Sequence, residues 1–167
     1  KKHAKIVFNG VMSQAIADDV KAQGGEAFIG KTGYPNIAAR MREVGAMLGN
    51  EMSGHFFFAD NYYGYDDAFY AMTRLLHFVS KQSVPVSQIL ADVPRYISTK
   101  EYRVPVPDPE KFGICKEVTE EFLKTRKVDT IDGARVNFEE GWGILRPSNT
   151  QPVLSMRFEA KNETALE

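Results

Sequence analysis

Lys5-Ile6-Val7-Phe8-Asn9 and Glu26-Ala27-Phe28-Ile29-Gly30, separated by a segment that opens at Ser13 and closes at Gly24-Gly25, decide the fold of this chain. The first stretch is a short apolar run of the kind a buried strand shows, and Gly10 permits a sharp exit from it. Ser13 is placed to cap a helix that carries Ile16, Ala17 and Val20 on one side. The second stretch reads as another strand. Strand, helix, strand at this spacing has the length of a right-handed crossover, which is α/β architecture.

Working outward, Lys31-Thr32-Gly33-Tyr34-Pro35 reads as a loop, and Pro35 starts a second helix through Ile37, Met41, Val44 and Leu48. Asn50 to Asp60 reads as strand, loop, strand. A long helix follows from Asp66-Asp67, acids favoured at its positive end, with Phe69, Met72, Leu76 and Val79 expected inside and the Tyr70, Arg74, His77, Lys81 side expected in solvent. From Val84 to Pro109 prolines and short extended pieces replace helical periodicity, and Asp92-Val93-Pro94-Arg95-Tyr96 is the candidate hinge. Beyond it come a strand at Glu101 to Val106 and a helix at Pro109 to Thr125. Extended segments follow near Lys127 to Ile131, Arg135 to Glu139, Trp142 to Leu145 and Val153 to Glu159. Asp132-Gly133 reads as a hairpin turn, and Asn162-Glu163-Thr164 as a helix start. One helix with antiparallel strands makes a small α+β domain. The expectation is therefore an N-terminal α/β domain with a mixed sheet and flanking helices, followed by a smaller α+β domain with an antiparallel sheet.

Composition bounds the function. At 167 residues, 43% hydrophobic and 26% charged, the chain can bury one sizeable core or two small ones. A net charge of −1 leaves no electrostatic footprint for nucleic acid or an acidic membrane. The apolar runs are too short to span a bilayer and no signal-peptide pattern is present, so the expected location is cytoplasmic. Cys115 is the only cysteine, which rules out an internal disulfide or a cysteine zinc site. Its helical spacing with Phe112, Val118 and Phe122 makes it a core thiol.

Two stretches carry chemistry. Glu51-Met52-Ser53-Gly54-His55 puts a carboxylate acceptor, a hydroxyl and an imidazole in one tight loop, a set suited to a polyhydroxylated molecule because carboxylate-to-hydroxyl bonds are charge-assisted. Arg146-Pro147-Ser148-Asn149-Thr150-Gln151-Pro152 combines a guanidinium fork, two hydroxyls, an amide and several backbone N–H groups between prolines, which suits a phosphate dianion. A hydroxyl reader and a phosphate reader together indicate a sugar phosphate. Taken singly, each admits a plainer reading: His55 closing its own loop, or Arg146 in a surface ion pair.

At these residues the chain resembles the α-D-phosphohexomutases, in particular the bacterial phosphomannomutase/phosphoglucomutase branch. Glu51 to His55 is similar to that family's sugar-specificity loop, and Arg146 to Pro152 to its phosphate-binding loop. Phe57-Phe58, Asp66-Asp67, Gly141-Trp142-Gly143 and Arg157-Phe158-Glu159-Ala160 agree as flanks. The resemblance implies the family's third domain over residues 1–93, truncated at its start, and a TBP-like fourth domain over 94–167, truncated at its end. It implies interconversion of hexose 1-phosphate and hexose 6-phosphate by the parent protein. Glu51, Ser53, His55, Gly33 and Tyr34 would face the substrate, with His55 a rim residue auxiliary to proton transfer. Arg146, Ser148, Asn149 and Thr150 would hold the phosphate that is not reacting.

The family's phosphoserine and its Mg2+, held by an aspartate-rich loop, belong to the first and second domains, and a hexose 1,6-bisphosphate acts as activator. This sequence has no Thr-Ala-Ser-His-Asn-Pro-like loop and no Asp-Gly-Asp-Gly-Asp run, so no catalytic residue and no metal ligand is expected in it. The expected partners are a hexose phosphate and the N-terminal domains of the same polypeptide. The reading is thus the substrate-recognition half of a mutase, inactive alone. The alternative is a non-catalytic sugar-phosphate binding or sensing module. Two departures from the branch bear on that choice: Val11 stands where a lysine is usual, and Thr32-Gly33-Tyr34 where Thr-Gly-His is usual.

Overall fold

A computed structural model of the chain describes residues 3–167. The backbone forms two compact units, one closing at Pro94 and the other running Arg95–Glu167. In the first, β1 (Lys5–Asn9) lies between β2 (Glu26–Gly30) and β3 (Leu48–Asn50), parallel to both, and β4 (Phe56–Phe58) joins β3 antiparallel. The sheet order is β2-β1-β3-β4, a mixed sheet. Central β1 is buried along almost its whole length, which is why it reads as a continuous apolar run and not as an alternation. Val7, Ile37, Met41, Ala46 and Phe57 form the core of this unit.

Local chemistry sets the helices. Helix α1 (Gln14–Ala22) starts at Ser13, whose hydroxyl accepts from the Ala15 N–H at 3.1 Å. Helix α2 (Tyr34–Val44) carries Pro35 in its first turn. It ends earlier than its periodicity suggests. Gly45 adopts the left-handed conformation, φ 69 and ψ 37, and closes the helix, so Leu48 opens β3 instead of extending α2.

Helix α3 (Ala68–Ser80) departs further from expectation. Phe69 is 81% exposed, and Met72 and Leu76 are exposed too. The side that meets the sheet is the one assigned to solvent. Arg74 lies over the Phe58 ring at 4.5 Å and donates to the Asp60 carbonyl at 3.0 Å, while Tyr70 meets Phe58 edge-on. A cationic and a phenolic side chain anchor this helix because its partner is an aromatic strand, where both find a face to pack on. His77 is exposed.

The second unit is a six-stranded antiparallel sheet. Its order is β5 (Ile97–Ser98), β10 (Val153–Ala160), β9 (Gly141–Pro147), β8 (Ala134–Asn137), β7 (Lys127–Asp129), with β6 (Tyr102–Pro105) also paired to β10. The two-residue β5 has no periodicity to betray it. Gly133, at φ 91, turns the β7–β8 hairpin. Strand alternation directs Ala134, Val136, Leu145, Met156 and Phe158 toward α4 (Lys111–Leu123), where with Val118 and Phe122 they line an apolar cavity of about 280 Å³. Cys115 is buried here, and burial pushes its thiol pKa up. Phe112, expected beside it, is exposed. The opposite face carries Arg135, Trp142, Arg146, Ser155 and Glu159, all buried. The Trp142 indole donates to Glu159 at 2.8 Å, and the Arg135 guanidinium lies 4.2 Å from the indole centre. Burial pulls the Arg135 pKa down to about 10, against the opposing charges of Glu159 and Asp129. Asn162 caps a last short helix, α5 (Glu163–Leu166).

Gly49 in β3 tests the first core. A Cβ there would stand 2.5 Å from the Met41 sulfur and 2.7 Å from Ile37 Cγ2, so these buried neighbours would have to shift. Gly49→Ala should lower stability by about 1–3 kcal/mol, measured as a shifted urea midpoint at unchanged m-value. An unchanged midpoint would mean that α2 does not press on β3 as described.

Candidate functional site

In the first unit the candidate residues gather where β1 and β3 end and β2 gives way to α2. Parallel strands release their loops at the same end, so Asn9, Thr32-Gly33 and Glu51 become neighbours without being close in sequence. Glu51 is only 6% exposed, and its Oε1 accepts the Gly33 N–H at 2.7 Å. Gly33 makes this bond with φ 110, backbone that suits glycine. Asn9 is buried beside them. Its amide donates to the Thr32 hydroxyl at 3.3 Å, and its oxygen accepts the Met52 N–H at 3.2 Å, which joins the two loops. The Glu51 carboxylate meets no other side chain among the described residues, so its second oxygen is available to a hydroxyl.

The loop itself is closed by backbone. Glu51 N–H donates to the His55 carbonyl at 3.0 Å, and Gly54 N–H to the Glu51 carbonyl at 2.9 Å. Ser53 lies exposed at its tip. The His55 side chain does not close the loop. Its Nδ1 is 2.5 Å from Asp66 Oδ2, an imidazole held by a carboxylate across the sheet edge where Phe57 bridges Asp66. Asp66 and Asp67 therefore divide the work expected of both: Asp67 alone caps α3, accepting the Tyr70 N–H at 2.9 Å. The Tyr62 hydroxyl, first, and the Tyr70 N–H hold the Asp67 pKa below the usual carboxylate range. Tyr34 packs its ring against Phe57, centroids 5.3 Å apart, and stays partly exposed. Val11 brings no charge to this end of the sheet.

In the second unit Arg146 leaves β9 just before the loop. It is 8% exposed, so a surface ion pair is not what the structure shows. Its Nε lies 3.1 Å from Asp132 Oδ2, also buried. The N–H is not aimed at that oxygen, so the pair is held by charge without a directed bond at Nε. The terminal nitrogens of Arg146 donate to nothing else among the described residues. The loop offers fewer backbone donors than its sequence suggests. Ser148 N–H donates to the Val153 carbonyl at 3.0 Å, and the Thr150 and Gln151 N–H groups turn in to the Ser148 hydroxyl oxygen at 3.4 and 3.2 Å. Asn149 N–H alone of these donates to nothing among the described residues. Beside the loop, Arg103 forks onto Glu101 and donates to Gln151 Oε1 at 2.9 Å. Burial raises the Glu101 pKa, but the Ser155 hydroxyl and Arg103 outweigh it and the net shift is downward.

Residues 1–96 match the family model described as phosphoglucomutase/phosphomannomutase, alpha/beta/alpha domain III. Residues 101–167 match the C-terminal domain of the same family. The chain belongs to the phosphoglucomutase/phosphomannomutase family. It is 39% identical over 167 residues to the phosphoglucomutase of Neisseria gonorrhoeae, covering 98% of this chain and 36% of that protein. It is 37% identical over 165 residues to the phosphomannomutase/phosphoglucomutase of Pseudomonas putida, with the same coverage. The crystal structure of a phosphoglucomutase/phosphomannomutase family protein from Burkholderia thailandensis superposes with a TM-score of 0.84 at 36% identity, over 99% of this chain and 35% of that one. The chain thus spans about a third of its relatives' length, and it corresponds to their C-terminal part.

Mg2+, which the family implies, has no fitting site among these residues. No group of three or more His, Cys, Asp or Glu that could hold a metal ion occurs among the described residues, and the ion is assigned to none of them. Nor is any described helix long and apolar enough to cross a membrane. Asn9 and Asp132 escaped sequence reasoning as site residues, and Asp66 was marked with Asp67 beside the first loop but given no contact to His55. The signal for Asn9 was available: a polar residue closing a buried strand at the loop end of a parallel sheet. Asp132 was visible only as part of a turn.

Asp132→Ala should strand the Arg146 charge in a buried place and destabilise the chain by about 3 kcal/mol, read from chemical denaturation. Asp132→Ala combined with Arg146→Met should recover most of the loss, since no unpaired charge then remains. A full-sized loss in the double variant would show that Asp132 acts through the hairpin turn and not through Arg146.

Proposed function

We propose that this chain is the substrate-recognition part of a hexose-phosphate mutase, carrying two separate half-sites. Glu51 and Ser53 take sugar hydroxyls, with Gly33 and Tyr34 alongside and His55 at the rim. Arg146, Ser148, Asn149 and Thr150 take the phosphate that is not reacting. The observation that carries this reading is the pairing of idle polar groups. A nearly buried carboxylate keeps one oxygen unused in the first unit, and a nearly buried guanidinium keeps its terminal donors unused beside an idle Asn149 N–H in the second. None of these idle atoms is sealed from water, so a ligand can take them without first displacing a protein partner.

The chemistry each group supplies is holding and orienting. A carboxylate bridging two hydroxyls and a fork on an oxyanion fix the sugar by charge-assisted bonds, and the remote phosphate contributes binding that positions the reacting end. His55, held by Asp66, can donate or accept a proton at its other ring nitrogen. The nucleophile and the metal are assigned to the rest of the mutase polypeptide, as is a hexose 1,6-bisphosphate activator. Val11 and Tyr34 favour a second reading, a sugar-phosphate binding or sensing module without catalysis, because both replace groups that the resemblance would put near the phosphate or the reacting oxygens.

Affinity separates the two. A few charge-assisted bonds of roughly 1.5–3 kcal/mol each, set against the cost of association, leave a Kd for glucose 1-phosphate or mannose 1-phosphate of about 0.1 mM or weaker by calorimetry. Micromolar binding would favour the sensing module. Arg146→Ala should abolish phosphate binding in either case, and undiminished binding would remove its loop from the site. With magnesium and hexose 1,6-bisphosphate supplied, the chain should show no phosphoryl transfer. Turnover would overturn the recognition-only reading.

A further inference from the structure

Lys111, in the first turn of α4, is 3% exposed, and none of the roles above uses it. Its ammonium has three donors and all three are matched. Nζ donates to Asp108 Oδ1 at 2.7 Å, to the Ser148 carbonyl at 2.7 Å and to the Gln151 carbonyl at 3.1 Å. Two of these acceptors are backbone oxygens at the two ends of the Ser148–Gln151 loop, so one buried cation clamps the loop from a single side. Asp108 is the counter-charge, and it lies outside the loop. A buried charge on so short a stretch of chain is costly unless fully bonded, which makes the clamp rigid.

The clamp has a directional consequence. In a trans peptide the C=O and the following N–H point to opposite sides, and the described chain contains no cis bond. Turning the Ser148 carbonyl toward Lys111 therefore turns the Asn149 N–H away from it. That N–H is the loop's idle donor. The Ser148 hydroxyl gathers the Thr150 and Gln151 N–H groups inward, so they do not compete with it.

We infer that Lys111 is a positioning residue for anion recognition: by gripping the Ser148 and Gln151 carbonyls it presents the Asn149 N–H to a phosphate on the far side of the loop. The inference rests on the proposed phosphate-binding role of that loop. Lys111 touches no phosphate itself. It fixes the donor before the ligand arrives, so the ligand need not order the loop on binding.

The test uses the full chain, inorganic phosphate as probe, and 15N relaxation of the Asn149 and Thr150 amides. Lys111→Met keeps most of the stem and removes the ammonium. It should leave a dispersed spectrum, loosen both amides in the absence of ligand, and weaken phosphate binding about tenfold or more. Lys111→Arg, for use where the methionine variant does not fold, keeps the charge, but its planar fork cannot aim at all three acceptors. It should also loosen the loop and weaken phosphate. A lowered denaturation midpoint with wild-type loop order and wild-type phosphate affinity in a folded variant would make Lys111 merely structural and overturn the inference. Loosened amides in a chain whose wild-type form ignores phosphate would support the clamp and refute the phosphate-binding role instead.

Discussion

A polar group buried at the end of a strand or helix has to be satisfied within a few ångströms, and the loops of both units are built around that constraint. In the first unit Asn9 and Glu51 tie three chain crossings together at one edge of a parallel sheet. In the second, Lys111 does the same for a single loop and Asp132 for the arginine that precedes it. Each of these side chains is nearly withdrawn from water, so losing its partner would leave a costly orphan, whether the tie is a hydrogen bond or, between Asp132 and Arg146, charge alone. Loops anchored this way keep their shape without a ligand. What the anchors leave over is small and specific: one carboxylate oxygen, one guanidinium end and one backbone amide.

Much of this was legible in the order of residues, and the reason differs from element to element. β1 was readable because a central parallel strand is apolar throughout, β2 because a short apolar run follows Gly24-Gly25 at crossover distance, and Ser13 because a cap works through its own side chain. The hairpin at Gly133 was readable because its backbone conformation favours glycine. The two loops were readable because their residue types fit one kind of ligand and resemble one family. Periodicity failed at α3. It identified an apolar stripe through Phe69, Met72 and Leu76 but not the surface that attaches the helix, which is set by Tyr70 and Arg74 against Phe58. It placed Phe112 inside for the same reason. Lys111 was invisible as an anchor because two of its three partners lie 37 and 40 positions away and are carbonyl oxygens, which every residue has, while the nearby Asp108 suggests only a local ion pair. Asp132 was hidden by an adequate local explanation, a turn, and Asp66, though marked as a flank of the first loop, was read as a helix start and not as the partner of His55.

The proposed half-sites lie on separate units of different architecture. In the proposed reading, hydroxyl recognition needs an acceptor, and the Glu51 loop would supply it on an α/β scaffold. Phosphate recognition needs donors from backbone and guanidinium, and in the same reading the loop after β9 would supply them on an antiparallel one. On that reading, substrate choice and phosphate affinity would rest on different scaffolds.

Trp142 is the chain's single indole, sealed in the second unit with its N–H on Glu159 and a guanidinium against its ring. Its fluorescence emission is therefore a reporter confined to the antiparallel unit, and the red shift that accompanies solvent entry follows the melting of that unit alone. Loss of order around β1 passes unseen in that channel, while the tyrosine cluster of Tyr62, Tyr63, Tyr65 and Tyr70 gives it a separate near-ultraviolet dichroism.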